Sequence, residues 1–538
     1  MKRLFDILVS FILLVLLSPL MLLLTLLVAC TSKGGPFFLG PRIGKNGRVF
    51  NIIKFRSMKV NSEGNGTWNI SGKDKRVTKV GLFLRKTKLD ELPQLFNVFI
   101  GQMSFVGPRP ELKVYVDMYS RKEEPILDNK PGLTDWASIV NSNQIKSFTE
   151  SNDPDYFYLH FIRPLKLELQ LYYRYHHNFF SDILCLICTA FKVLHINILP
   201  KKIKQIVSKY EADLEYKQKI RKIVEHTKLK KTELNIPRIG FGGCPMGGYG
   251  WGKTNDNDFI DAVRFSLDVG LNYFDTADTY GLGKSEEILG EALKGRRSEA
   301  IIATKFGVRR SAEGKTFYDN SPEWIRQALE ESLKRLQTDY IDVYFVHYFD
   351  GKTPLEDIFS TLQQLKNEGK IRCFGISNVY KEQLKDFYKY KDVISCSQNE
   401  YSMATRKNEE TINLLSKDLN ITPMTWGSLG QGILTGTITK DTVFGSDDRR
   451  SRPEYVNFHG EKFLHNLMVV DEIKKMMPKY KKSCASIALR YVLDKFPDSV
   501  CLVGIKTIDE LKLNTEVFGW SLDKDDFKKL DEISKWND

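Results

Sequence analysis

At 538 residues the chain is too long for one ordinary core, and at about 150 residues per domain it has room for two large catalytic units. Its 80 Lys and Arg against 67 Asp and Glu give a formal charge of +13, which points to acidic partners such as anionic membrane lipid or phosphorylated substrates. Nucleic acid is disfavoured as the partner, because zinc-finger spacing, an aromatic RNP-like strand and a basic heptad region are all missing, and the scattered cysteines imply no disulfide framework.

Residues 7–30, ILVSFILLVLLSPLMLLLTLLVAC, carry no charge and exceed the ~20 residues that a spanning helix needs. The run is longer than the apolar core of a signal peptide and lacks a clear cleavage site, so a retained membrane segment is expected. Ser18 and Pro19 break its middle, and cations flank both ends: Lys2 and Arg3 before, Lys33, Arg42, Lys45 and Arg48 after. Charge alone therefore leaves a spanning and a re-entrant helix equally open.

Turn-bracketed strand-like runs follow at 34–60, with Lys54 and Arg56 able to reach phosphate. Residues 61–72 read as a loop, and its Asn69-Ile70-Ser71 sequon matters only on a secreted face. Then comes KTKLDELPQLFNVFIGQMSFVGPRPE at 86–111, where Asp90 and Glu91 stand side by side among leucines. One carboxylate attacking phosphorus while the other helps to hold a divalent metal suits such a pair; acids in the first turn of a helix are the plainer alternative. Arg76, Arg85 and the Arg109 of a rigid GPRP turn add guanidinium groups suited to phosphate.

KFRSM at 54–58, DKRVTKVGLFLRKT at 74–87 and SFVGPRPE at 104–111, in that order around the acid pair, resemble the small monotopic phosphoglycosyl transferases, the bacterial sugar transferase family, over roughly residues 1–195. The resemblance implies transfer of a phosphosugar from a UDP-sugar to polyprenyl (undecaprenyl) phosphate. Asp90 would be the nucleophile that forms an aspartyl-phosphosugar intermediate, and Glu91 would act with Mg²⁺ beside it. Lys54, Arg56, Arg76, Arg85 and Arg109 would meet phosphate. It also favours a re-entrant helix at the Ser-Pro break, with the catalytic units on the cytoplasmic side of the bacterial inner membrane. In PGLTDWA at 131–137, Asp135 stands where that family usually has glycine.

Residues 156–177 mix aromatics and cations, as an element lying in a membrane interface does. The apolar run at 183–194 is too short to span, and its Cys185 and Cys188 read as core or membrane contacts rather than metal ligands. Residues 196–228 turn Lys-rich and helix-prone, a basic linker near anionic lipid.

From 229 onward, eight apolar runs alternate with helical stretches: 236–243, 271–277, 300–305, 340–347, 371–378, 393–400, 421–428 and 499–506. This pattern predicts a (β/α)₈ barrel, whose active site lies at the C-terminal ends of the strands. Polar residues gather at those ends: Asp275 and Tyr280, Lys305, His347, Ser377 and Asn378, Gln398, and Lys506. A Lys ammonium held by a carboxylate lowers the pKa of a nearby Tyr hydroxyl, so Tyr280, Lys305 and Asp275 make a proton-donating unit, with His347 able to orient a carbonyl.

FDTADTYG, the ATK at 303–305, the VH at 346–347 and GISN at 375–378 closely resemble the aldo-keto reductase superfamily over roughly 229–538. The resemblance implies NAD(P)H hydride transfer, with Tyr280 as general acid, His347 polarising the substrate, and Ser377, Asn378 and Gln398 holding the carboxamide. Trp426 would stack on the nicotinamide. WGSLGQGILTG at 426–436 is similar to the loop covering the pyrophosphate, which assigns Ser428, Leu429 and Gly430 to the cofactor. Lys506 would meet a 2′-phosphate and Asn514 the adenine, favouring NADPH over NADH, although Glu510 and Leu513 depart from the usual pattern.

The expected architecture is thus an α/β multidomain chain: a membrane-embedded transferase unit (1–195), a basic helical linker (196–228) and a reductase barrel (229–538). The expected activity is bifunctional, with the barrel reducing a carbonyl, for which a keto-sugar of the same pathway is the candidate that the fusion suggests. Two alternatives stand beside it: a barrel that senses cofactor or scaffolds without turnover, and a membrane-anchored reductase with a silent transferase.

Overall fold

A computed structural model describes the chain except residues 61–75, 142–157, 195, 249, 253, 312, 537 and 538, so the 69–71 sequon and the aromatic Tyr156 and Phe157 lie outside the described residues. The chain divides into two compact units, Met1–Tyr216 and Lys217–Asp538.

The first unit opens with helix α1 (Lys2–Thr31), which is continuous through Pro19 rather than broken there. Proline lacks the N–H that would bond the carbonyl four residues back; the Ser18 hydroxyl donates to that same carbonyl, Val15 O, at 2.7 Å. The helix is fastened near both ends to its own unit. At the start, Lys2 bonds Val106 O (2.7 Å) and Asp182 (2.6 Å), Arg3 bonds Val98 O, and Asp6 accepts from Ser104 Oγ and the Phe105 N–H. Toward its end Met21, Leu24 and Val28 pack with Phe55 and Leu84. The opposite face, with Leu8, Phe11, Val15, Leu22 and Leu26, is exposed.

Strands β1 (Phe37–Ile43) and β2 (Val49–Phe55) form an antiparallel pair. Helix α2 (Lys79–Thr87) is capped by Thr78, whose hydroxyl accepts the Gly81 N–H, and it leads through a 3₁₀ turn at Leu89–Glu91 into α3 (Gln94–Ile100). Strands β3 (Ser104–Val106) and β4 (Gly132–Thr134) pair in parallel. Just past β3, Gly107 faces Gly132 so closely that a Cβ on Gly132 would stand 2.2 Å from the Gly107 nitrogen; only glycines allow this approach. After α4 (Trp136–Asn141), α5 (Arg163–His176) and α6 (Phe179–Val193) complete the core. Cys185 and Cys188 are buried free thiols within it. Helix α7 (Lys201–Ile223) contains the division between the units.

The second unit is a closed barrel of β7 (Ile239–Gly242), β8 (Tyr273–Asp275), β9 (Ile301–Phe306), β12 (Ile341–Val346), β13 (Ile371–Ser377), β14 (Cys396–Glu400), β15 (Thr422–Trp426) and β16 (Val500–Gly504). All eight apolar runs became parallel barrel strands. Their near-continuous hydrophobicity reflects burial on both faces. Among the described residues two hairpins complete the strand set, β5 (His226–Lys228) with β6 (Asn235–Pro237), and β10 (Val308–Arg310) with β11 (Thr316–Tyr318). Leu229 and Ile236 from the first join the barrel interior with Tyr273, Phe345 and Met424.

Two candidate active sites

In the first unit the acid pair sits where β2, the Leu89–Glu91 turn and the GPRP turn meet. Lys54, near the end of β2, donates to Glu91 Oε1 at 2.8 Å, and the Arg109 guanidinium bonds the same oxygen. Burial alone would raise the Glu91 pKa, but Arg109 and Lys54 outweigh it and hold this carboxyl well below the usual carboxylate range. Asp90, 7% exposed, goes the other way: burial pushes its pKa up, against the attraction of Lys54. Neighbouring carboxyls with divergent ionisation can take different roles.

Arg109 is itself held in place. Its N–H donates to Asp135 Oδ2 (3.1 Å) and its guanidinium to Leu133 O (3.3 Å). Asp135 is 1% exposed and caps α4 by accepting from the Ser138 N–H (2.7 Å), while Gln170 donates to its other oxygen (3.0 Å). The Asp-x-x-Ser spacing of an N-cap was the available signal for this role. Arg85 donates to Ser57 Oγ at 2.8 Å and acts on Asp90 through its charge. Arg56 instead bonds the carbonyls of Gly35 (3.0 Å) and Phe37 (2.9 Å), and Arg76 lies in the turn before α2, its carbonyl accepting the Lys59 N–H. The structure thus gathers Lys54, Arg85 and Arg109 about the pair and commits Arg56 to backbone. Among the described residues no three metal-ligating side chains converge. Two adjacent carboxyls still fit Mg²⁺, which takes one or two carboxylates and completes its shell with substrate phosphate oxygens and water.

In the barrel, the strand-end residues converge. Lys305 Nζ, 2% exposed, bonds Asp275 Oδ2 (2.7 Å), Thr276 O (2.7 Å) and the Tyr280 hydroxyl (3.2 Å). Gln398 donates to the other Asp275 oxygen at 2.6 Å. The ring of His347 meets Tyr280 edge-on, with centroids 5.9 Å apart. Burial and the Lys305 charge push the His347 pKa well below its ordinary value, so the imidazole is neutral, and its Nδ1 is buried without a hydrogen-bond partner. The lowered Tyr280 pKa expected from Lys305 is not found. Burial dominates and holds this hydroxyl well above the ordinary tyrosine value, so it is a protonated donor until a substrate takes the proton.

The residues read for cofactor also cluster. Asn378, in a left-handed conformation (φ 56°), donates to His347 O (3.1 Å) and Ser377 Oγ (3.0 Å) and accepts from Trp426 Nε1 (3.1 Å). Ser428 is buried and donates to Thr425 O, and the chain turns at Gly427, Leu429 and Gly430, the Gly430 N–H bonding Gly427 O at 2.7 Å. Lys506 donates through Nζ to Trp251 O (2.8 Å), and its N–H donates to Glu510 (2.6 Å). Asn514 is buried in the helix Ile508–Thr515 that follows. A His347 nitrogen is buried without a hydrogen-bond partner, and Ser377, Asn378 and Gln398 carry the hydroxyl and amide groups that suit the carboxamide of a nicotinamide cofactor. Sequence reasoning passed over Cys244 and Trp251, in the Gly-rich loop after β7; Cys244 lies close enough to Tyr280 to act on its ionisation.

Residues 238–535 match the model of the aldo/keto reductase family, and residues 1–196 that of the bacterial sugar transferases. An aldo-keto reductase of Bacillus subtilis is 35% identical over 313 residues, 58% of this chain and 93% of that protein. An NADH-specific methylglyoxal reductase of Escherichia coli is 30% identical over 322 residues, 57% of this chain and 97% of its own. Among solved structures, a glycerol dehydrogenase of Gluconobacter oxydans has a TM-score of 0.52 at 34% identity, covering 57% of this chain and 94% of that one.

Proposed function

For a chain that belongs to the aldo/keto reductase family through residues 238–535 and carries a bacterial sugar transferase unit at 1–196, we propose two activities. The first unit moves a phosphosugar from a UDP-sugar to polyprenyl phosphate, and the barrel reduces a carbonyl with NAD(P)H.

The observation that carries the first activity is the geometry of the acid pair, with Lys54 and Arg109 both bonded to Glu91 and Asp90 buried beside it. Glu91 is pinned as an anion between Lys54 and Arg109, whereas burial makes Asp90 the more basic and hence more nucleophilic carboxyl. Asp90 attacks the sugar-bearing phosphorus; an aspartyl P–O bond forms as the diphosphate P–O bond breaks and UMP leaves. The polyprenyl phosphate oxygen then displaces Asp90. Asp90 and Glu91 would hold Mg²⁺, whose chemistry is to neutralise diphosphate charge, and Arg109 and Lys54 stabilise charge on the same phosphates.

Helix α1 supports the membrane side of this reading. Both of its ends are fastened to one unit while its outer face is apolar and exposed, the form of a helix that dips into one leaflet of the bacterial inner membrane and keeps its unit on the cytoplasmic side.

In the barrel, bound NAD(P)H supplies hydride. Asn378, Ser377 and Gln398 would hold the carboxamide, Trp426 would flank the nicotinamide, and Ser428, Leu429 and Gly430 would meet the pyrophosphate. Tyr280 gives its proton to the carbonyl oxygen, Lys305 stabilises the phenolate that results, Asp275 fixes Lys305, and neutral His347 orients the carbonyl. Lys506 would meet a 2′-phosphate, favouring NADPH, and Asn514 the adenine, with the Glu510 carboxylate opposing. Purified protein tests both activities: UMP release with a UDP-sugar, polyprenyl phosphate and Mg²⁺, and NAD(P)H consumption with a carbonyl. Loss of UMP release in Asp90→Asn and of NAD(P)H oxidation in Tyr280→Phe is the expected result.

A further inference from the structure

Beside the Tyr280–His347 pair stands a set of tyrosines that the hydride-transfer chemistry does not use. Tyr348 stacks on His347 with centroids 5.1 Å apart, and Tyr318, the last residue of the β10–β11 hairpin, stacks on Tyr348 at 5.1 Å and 24°. Tyr380, Tyr455 and Glu400 lie close enough to the Tyr348 hydroxyl to act on its ionisation. Rings therefore run without a gap from the proton donor through His347 and Tyr348 to Tyr318 at the rim, 42% exposed, and Tyr380, 50% exposed, lies near Tyr348. The hairpin is anchored, since Arg309 lies over the Trp324 ring (4.0 Å) and pairs with Asp319 (2.6 Å), so Tyr318 is presented by a fixed support. Half-exposed stacked rings add little to the core, and no cofactor role falls to them.

We propose that this tyrosine wall is the binding site of a carbohydrate ring, so that the reductase acts on a ketone carried by a sugar. This rests on the reductase reading of the barrel. A pyranose has apolar C–H faces and a rim of hydroxyls; a tyrosine offers an apolar ring face and a hydroxyl at its edge, so the two match in both respects. Burial pushes the Tyr348 hydroxyl up to about 12, which keeps it a neutral donor, and the Glu400 carboxylate, steadied by Gln431 at 2.9 Å, accepts from sugar hydroxyls. A flat aryl carbonyl would stack equally well but bring no hydroxyls to meet the Tyr348 hydroxyl and the Glu400 carboxylate. In the reaction the ring ketone's C=O π bond breaks, its carbon gains the hydride and its oxygen the Tyr280 proton, NAD(P)H becoming NAD(P)⁺ and the ketone a secondary alcohol.

Tyr318→Ala and Tyr380→Ala, with Tyr318→Phe as the ring-preserving control, test the wall in the full-length protein. Each is assayed with NADPH and NADH against a methyl hexopyranosid-3-ulose, 4-nitrobenzaldehyde and methylglyoxal, and NADPH binding by fluorescence reports that the barrel is intact. The wild type is expected to reduce the pyranosidulose. Tyr318→Ala is expected to raise its KM by about tenfold, the loss of one ring contact, while kcat and all constants for methylglyoxal, too small to reach the rim, stay put. Tyr318→Phe is expected to retain most of the affinity. Turnover of methylglyoxal or the aryl aldehyde without the pyranosidulose, or an equal loss for all three substrates in Tyr318→Ala, overturns the carbohydrate site and leaves the reductase standing. Inactivity toward every carbonyl with either cofactor overturns the reductase reading and this inference with it.

Discussion

Replacing Asp275 by Asn keeps shape and volume but removes the one negative charge bonded to the buried Lys305 ammonium. Asp275 also accepts from Gln398, so the change leaves a buried cation uncompensated, which costs about 3–5 kcal/mol of stability. The catalytic effect is separable. As Tyr280 gives up its proton, a phenolate forms 3.2 Å from Lys305; at an effective dielectric constant of about 20 that attraction is worth about 5 kcal/mol. Full loss corresponds to nearly four decades of rate, and partial retention through Thr276 O reduces it to between about 10² and 10³. The assay is kcat for NADPH oxidation, with NADPH binding by fluorescence titration and chemical denaturation alongside. A kcat within about threefold of wild type, with cofactor bound normally, would show that Lys305 and its carboxylate do not support the proton transfer.

Because burial holds Tyr280 above the ordinary tyrosine value of about 10 and keeps His347 neutral, the pH profile of reductase kcat/KM should be flat from about pH 7 to 9; an alkaline limb inside that window contradicts the assignment. Glu91 has a depressed folded pKa, so its ion pairs contribute stability that is fully present above the ordinary glutamate value and is lost as pH falls toward the folded one. Glu91→Gln should accordingly flatten the acid limb of unfolding of the first unit, followed by circular dichroism in detergent. Asp135→Gly removes the partners of the Arg109 N–H, the Ser138 N–H and Gln170; about 2 kcal/mol of destabilisation and a several-fold loss of UMP release are expected, with reduction unaffected. Asp6→Leu strands the Phe105 N–H and Ser104 hydroxyl and should cost about 1–3 kcal/mol, read by urea denaturation in micelles.

The barrel was legible because its strands are buried on both faces and read as apolar runs, each closed by a polar residue at the end where the site forms. Convergence of Asp275, Tyr280, Lys305 and His347 followed from that placement. Interactions that depend on where a side chain turns were not legible. Arg56 bonds backbone carbonyls, Lys506 meets Trp251 O, and Asp135, where glycine was usual, became a helix cap and an anchor for Arg109. Ser18 and Pro19 read as a break because proline removes a donor; the adjacent hydroxyl supplied another. The sign of the Tyr280 shift escaped for a different reason, since burial is a property of the closed fold and outweighs the neighbouring cation that the sequence does display.

The central claim, two working enzymes in one chain, is tested most directly by assaying wild type, Asp90→Asn and Tyr280→Phe in parallel for UMP release from a panel of UDP-sugars with undecaprenyl phosphate and Mg²⁺, and for NADPH oxidation with a carbonyl panel. Wild type should show both activities, Asp90→Asn only the second and Tyr280→Phe only the first. UMP release that survives in Asp90→Asn, or its absence from wild type with every sugar, would contradict the transferase; NADPH bound but never oxidised would contradict the reductase.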